Sequence, residues 1–305
     1  MASLRTMTYS VDGRIGRITL NRPKSGNAIT FDLPGELAGC VERANMDPGV
    51  HVIALSGNGT GFCGGYDLKL SAEGSVEEAM QGGAYVKGSP FDPAVQRANH
   101  QPNTNWDPMV DYAAMSRFVK GFMSLFHSEK PVVCKVHGFC VAGGTDMALC
   151  SDLLVIEDKA KIGYPPARVW GSPTTMMWAY RVGIEKAKRL LFTGDCLSGT
   201  EAVEWGLATE CAPADKLDER FEILLERIAR MPVNQLMMMK LLVNQTLANQ
   251  GLQSTQILGT VFDGITRHTA EGHGFAQKAM AEGFREAVKD RDEPFGDHGL
   301  STFKG

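Results

Sequence analysis

Apolar and polar positions change period several times along the chain, and the changes lay out alternating strands and helices. From Val11 to Leu20 they alternate around Asp12-Gly13, a turn dipeptide, which predicts a β-hairpin closed off by Asn21-Arg22-Pro23. Thr30 or Asp32 then caps a helix carrying Leu33, Leu37, Cys40 and Val41. His51–Ser56 is a short continuous apolar run, read as a buried strand, and a glycine-rich loop from Gly57 to Gly65 follows it. Between Ala72 and Asp111 the pattern dissolves into Gly and Pro punctuation, the signature of a lid, a binding loop or a disordered segment. Helical spacing returns at Tyr112 and places Met115, Phe118, Phe122 and Phe126 on one face up to His127. Pro131–Val136 predicts a further buried strand leading into His137–Asp146, a helix, and the strand Leu153–Ile156. From Glu185 onward the pattern is mainly helical. The expected organisation is an α/β core over 1–200, with an inserted loop at about 72–111, and a helical region over 201–305.

Composition narrows the function classes. The 305 residues are 43% hydrophobic and 22% charged, an ordinary globular mix that excludes a disordered chain. Net charge is −4, so the basic excess of a nucleic-acid binder is missing. No apolar run has the length of a membrane span and no leader pattern opens the chain, so a cytoplasmic protein is expected. The seven cysteines lack CxxC or Cys/His zinc spacing, and reduced thiols with no metal site are expected.

Gly57-Asn58-Gly59 suggests a dinucleotide loop, but Phe62 stands where the third glycine belongs. There is no P-loop, nucleophile elbow or HExxH. Two other turns carry more chemistry, Gly61–Leu68 and Ala142-Gly143-Gly144, each after a predicted buried strand. Glycines there either only make tight turns or admit a ligand close to the backbone. Two free N–H groups, one from each turn, would form an oxyanion hole.

Taken together, the motifs resemble the crotonase, or enoyl-CoA hydratase/isomerase, superfamily over nearly the whole chain. They are Ile18–Lys24 with Asn27-Ala28, Phe62–Leu68, Gly138–Asp146, Cys150–Leu153, Ala160–Gly163, Lys188–Gly194 and Ala202–Leu207. The resemblance implies a spiral of ββα units with a C-terminal helical trimerisation region, in trimers or hexamers. It implies an acyl-CoA substrate and no separate cofactor, coenzyme A being part of the substrate. The N–H groups of Tyr66 and Gly143 would hold the thioester oxygen, and Asp146 falls on the first catalytic glutamate of the hydratases, its other reading being a helix-start carboxylate with no chemistry. Lys24, Ala28, Gly64 and Lys69 would line the CoA moiety, with Asp67, Pro166, Arg168 and Trp170 completing the substrate contacts.

The chain also departs from that pattern. Pro166 occupies the second glutamate position, and Thr174 a position where some members carry an aspartate. Proline cannot transfer a proton, so two-glutamate hydration is not expected. The alternatives are another crotonase reaction, such as isomerisation or C–C hydrolysis of a larger acyl-CoA, or an acyl-CoA-binding protein with weak catalysis. Arg168 could meet an acyl carboxylate or form a structural ion pair. His100, Asp107 and Asp111 are either lid residues or, as the more ordinary reading of each, solvated loop residues; His137 reads as a packed histidine, and Met231 and Met237–Met239 as core.

Overall fold

The computed structural model describes residues 4–67 and 106–296, with a few positions between 87 and 98. Strands β1 (Met7–Asp12), β2 (Ile15–Leu20), β3 (Val52–Gly57), β4 (Val132–Val136), β6 (Leu153–Glu157) and β9 (Glu210–Ala212) form one sheet in that spatial order. The β1–β2 pair is antiparallel and every later pair is parallel. The hairpin begins earlier than the alternation suggests, and its loop is Gly13-Arg14, because Asp12 pairs with Ile15. Gly13 takes the left-handed φ of 56° that the tight connection demands. A second sheet holds β5 (Phe139–Val141), β7 (Lys161–Gly163) and β8 (Cys196–Ser198). The main sheet does not stop at residue 200, since β9 pairs with β6.

The helices are α1 (Leu33–Met46), α2 (Pro108–His127), α3 (Gly143–Ala148), α4 (Met177–Val182), α5 (Ile184–Thr193), α6 (Gly199–Glu204), α7 (Ala214–Ala229), α8 (Val233–Asn249), α9 (Leu252–Arg267), α10 (Ala270–Glu282) and α11 (Phe284–Asp292). Strand alternation explains the continuous apolar run of β3. Ile53 and Leu55 enter the main core with Leu37, Phe62, Phe122, Met147 and Trp178, while Val52 and Ala54 meet Phe221 and Leu225 of α7. α2 packs against both α1 and α9, so the C-terminal helices reach back onto the core.

The methionine assignment is corrected. Met231, Met238 and Met239 are about half exposed, and Leu241, Leu242 and Val243 on α8 about two thirds. Lys240 is the buried residue of α8, donating to the carbonyls of Leu125 and Lys130 and pairing with Asp152 at 2.8 Å. No helix of the described residues is long and apolar enough to cross a membrane.

Candidate active site

The two glycine-rich turns meet where β3 and β5 end. Phe62, fully buried, donates its N–H to the Phe139 carbonyl at 2.9 Å, and Val141 donates to the Cys63 carbonyl at 3.0 Å. On the other side Gly64 donates to Gly26, Ile29 to Gly65 and Asp67 to Ile29, all within 2.9 Å. The first turn is thus held between the 26–29 loop and β5. Its bridge to Ile29 uses the groups on either side of Tyr66 and leaves the Tyr66 N–H outside the pairing. Gly143 is the first residue of α3, where a helical N–H has no acceptor one turn back.

Glycine is required at this junction. Gly65 has φ 96°, and a Cβ there would lie 2.8 Å from Ala142 Cβ and 3.6 Å from Gly143 N. A Cβ on Gly144 would press within 2.6 Å of the Cys63 carbonyl oxygen. Ala142 itself sits at φ 54°, ψ −131°, a conformation that an alanine holds only when its surroundings enforce it. The Tyr66 ring lies over Gly143 and edge-on to Phe118, centroids 5.3 Å apart.

Asp146 enters from the first turn of α3 and is 1% exposed. Its Oδ1 accepts the Thr175 N–H at 3.0 Å and the Thr175 hydroxyl at 2.8 Å, whereas Oδ2 has no hydrogen-bond partner. Burial pushes its carboxyl up to about 7; the Thr175 hydrogen bonds oppose the rise and the nearby Asp263 adds to it. The Tyr66 and Thr174 hydroxyls are buried beside it without a well-formed hydrogen bond, and burial holds Tyr66 well above the usual phenol range. Asp146 Oδ2, Tyr66 Oη and Thr174 Oγ1 are therefore desolvated together, Oδ2 without a partner and the Thr174 hydroxyl close to that of Tyr66, the condition of a polar group that a ligand completes.

Asp263 and Arg267, which the sequence reading did not single out, stand next to this group. Asp263 accepts the Ser172 N–H at 3.2 Å and pairs with Arg267 at 3.2 Å; Arg267 also pairs with Asp111 at 2.6 Å. Burial raises the Asp263 carboxyl and Arg267 offsets part of the rise. A signal existed: a carboxylate inside the apolar run Val261–Ile265 of α9, with Arg four residues on.

The remaining candidates divide. Lys24, Ala28 and Gly64 come together through the Gly64–Gly26 hydrogen bond, Lys24 and Gly64 being exposed. Asp67 is paired with Arg22 at 2.8 Å, and Arg22 also donates to the Ala28 carbonyl, so both brace that loop. Lys69 and His100 lie outside the described residues. Pro166 sits in the 3-10 turn Pro165–Arg168. Trp170 packs on Phe275 of α10 at 5.2 Å.

Two expectations are corrected. The side chain of Arg168 is 1% exposed and pairs with Asp292 at 2.9 Å and Asp195 at 3.4 Å beneath the Phe295 ring, which makes it a clamp on the C-terminal helices rather than a substrate contact. Asp107 and Asp111 are not lid residues: Asp107 caps α2 by accepting the N–H groups of Met109 and Val110, and Asp111 is buried on Arg267. His137 is half-buried, with Nε2 against the Gly59 carbonyl at 2.9 Å. All seven cysteines are free, and no cluster of potential metal ligands occurs among the described residues.

The enoyl-CoA hydratase/isomerase family model matches residues 11–88 and 105–285, spanning both turns, Asp146 and α9. The chain belongs to the enoyl-CoA hydratase/isomerase family, within the crotonase superfamily. A crystal structure of an enoyl-CoA hydratase from Mycobacterium smegmatis is 55% identical, covers 99% of this chain and 98% of its own, and superposes with a TM-score of 0.89. A Mycobacterium tuberculosis relative that carries the enoyl-CoA hydratase name EchA13 is 31% identical over 255 residues, 80% of this chain and 74% of its own. An enoyl-CoA hydratase/isomerase from Xanthobacter autotrophicus Py2, 24% identical, covers 96% of this chain and 99% of its own at a TM-score of 0.77, a likeness of fold. The crotonase fold expected from the motifs is the fold observed, and the chain is an enzyme of this acyl-CoA family.

Proposed function

We propose that this crotonase-family enzyme binds an acyl-CoA thioester, holds the thioester oxygen on the N–H groups of Tyr66 and Gly143, and moves a proton at the acyl chain with Asp146. The observation that carries this reading is the junction of the two turns. Among the described residues neither the Tyr66 nor the Gly143 N–H has an acceptor, the Tyr66 ring lies against Gly143, and Asp146 follows in the same helix with one oxygen unpaired. Donors fixed where charge develops lower the barrier to the enolate because they need no reorganisation. A carboxyl that titrates near neutrality both takes and returns a proton. Lys24, Ala28 and Gly64, on the loop braced by Arg22 and Asp67, would meet the CoA moiety, with Lys69 as a further cation. Pro166 and Trp170 would border the acyl end.

With proline at position 166, one proton-transferring group does the work that two glutamates share in a hydratase. That favours moving a proton along the acyl chain over adding water to a simple 2-enoyl-CoA. The C-terminal helices are proposed to join chains into a trimer or a pair of trimers.

The test is steady-state hydration of crotonyl-CoA, with thioester affinity measured separately. The wild type is expected to turn over about 10²–10⁴-fold below a two-carboxylate site. Pro166→Glu is expected to raise that rate. Gly143→Ala is expected to lose turnover while keeping most thioester affinity, since its Cβ would lie 2.6 Å from the Tyr66 ring and displace the donor. Rapid crotonyl-CoA hydration by the wild type would overturn the single-carboxylate reading. Failure to bind any CoA thioester would overturn the whole assignment.

A further inference from the structure

The segment Ser172–Thr175 carries a carboxylate at each end. Ser172 N–H is held by Asp263 of α9, and Thr175 N–H and its hydroxyl by Asp146 of α3. Between them Thr174 is fully buried with its hydroxyl unpaired. Gly259 of α9 lets this segment lie close, since a Cβ there would sit 2.9 Å from the Pro173 carbonyl oxygen. Behind Asp263 the chain continues as an ion-pair row, Asp263–Arg267–Asp111, that crosses from α9 to α2. Asp146, Asp263 and Asp111 are each at most 5% exposed, and the guanidinium of Arg267 is the cation that stands among them. Among the described residues three carboxyl groups share this one guanidinium in a water-poor space, an arrangement that favours retention of a proton.

Arg267 decides which carboxyl keeps it. Asp263 and Asp111 both touch that guanidinium, whereas the Asp146 carboxyl is held through Oδ1 by Thr175 and leaves Oδ2 without a hydrogen bond. We propose, building on the role given to Asp146 above, that Asp263 is a positioning residue for the reaction: its negative charge adds to burial in favouring the protonated carboxyl of Asp146, which exchanges a proton with the acyl α-carbon.

In the forward step the Asp146 carboxylate takes the α-proton, and the C–H electron pair becomes the enolate held at Tyr66 and Gly143. In the reverse step the Asp146 acid returns a proton to carbon and is left as the carboxylate. No other reactant is consumed. Among the described residues, the titratable groups facing Asp146 are Tyr66 from the first turn, Tyr164 after β7, Asp263 from α9 and the thiols of Cys140 and Cys150, with Arg267 and Asp111 paired behind Asp263. Burial holds both tyrosines and both thiols in their neutral forms, so among the described residues the acting charge is Asp263, with Arg267 and Asp111 behind it.

The experiment measures exchange of the α-hydrogens of butanoyl-CoA, a saturated thioester that cannot be hydrated, in D2O between pH 5 and 9. Wild-type exchange is expected to rise with pH through a midpoint near 7 as Asp146 becomes the carboxylate. Asp263→Asn removes the neighbouring charge and is expected to lower the midpoint by about one pH unit. Asp263→Glu is expected to restore it. Asp111→Asn frees Arg267 to neutralise Asp263 and is expected to lower the midpoint too, which supplies a second reading if the Asp263→Asn variant folds poorly. Asp146→Asn is expected to abolish exchange at every pH. If Asp146→Asn abolishes exchange but neither Asp263→Asn nor Asp111→Asn moves the midpoint, the role of Asp263 is wrong and that of Asp146 stands. Wild-type-like exchange by Asp146→Asn, or none by the wild type, overturns both.

Discussion

At the scale of single residues, Asp146 is stabilised in its neutral form at the expense of the fold. Its carboxyl rises from 3.8 to about 7 on folding, chiefly through burial. Between those values the folded chain holds a proton that the unfolded chain has released, so Asp146 lowers stability progressively as pH rises through this window and fully above it. Asp146→Asn keeps the Thr175 hydrogen bonds and mimics the protonated acid. It is expected to raise stability at pH 8 by on the order of a few kcal/mol and by much less at pH 4, as read by denaturant unfolding at both pH values. An equal gain at both pH values would refute this. The residues of the two turns were legible in the sequence because a backbone that approaches another backbone must be glycine. Gly65, Gly143 and Gly144 announce the junction wherever the chain goes in between. Asp263 was not legible in that way, because its meaning comes from Asp146, 117 positions earlier, through a contact that no local pattern encodes.

At the scale of elements, hydrophobic periodicity located α1, α2 and the parallel strands, because each buries a face and burial writes the period. It misplaced the partner of α8. Apolar residues at Met238, Met239, Leu241 and Leu242 read as core, yet within one chain they face outward, as Val243 does, and a lysine is the residue that α8 buries. α9 adds Ile257, Leu258 and Phe262, each about half exposed. An apolar surface of this kind on two neighbouring helices fits the proposed association of chains. Light scattering at micromolar concentration is expected to give a trimer or hexamer, and Leu241→Glu combined with Phe262→Glu is expected to give a monomer. A wild-type monomer would refute the assembly.

At the scale of the whole molecule, the C-terminal helices are fastened to the core by ion pairs that lie out of water. Asp292 is fully buried between Arg168 and Arg291, and Arg168 also reaches Asp195 and the Thr193 carbonyl. Removing one partner of a buried pair leaves charge without compensation, at a cost of about 3–5 kcal/mol. Asp292→Ala is therefore expected to lower the unfolding free energy by about that amount and to expose α10 and α11 to proteolysis before the core opens. A change below about 1 kcal/mol would show that the clamp is solvated. The sequence pointed to Arg168 as a candidate cation but could not choose between ligand and clamp, because the choice depends on Asp292, 124 residues away.

Six of the seven cysteines are buried, spread over α1, the first turn, β4, β5, the end of α3 and β8. Burial pushes the Cys40 thiol up to about 11 and the Cys63 thiol up to about 12, so these sulfurs are shielded from a modifying reagent both by access and by protonation. The chain consequently carries its own reporters of breathing motions. The rate at which an alkylating agent labels each sulfur, read by mass spectrometry in native buffer, measures how often that layer of the molecule opens. The thiol at Cys63 then serves as a clock for the turn that carries Tyr66, with no probe added to the protein.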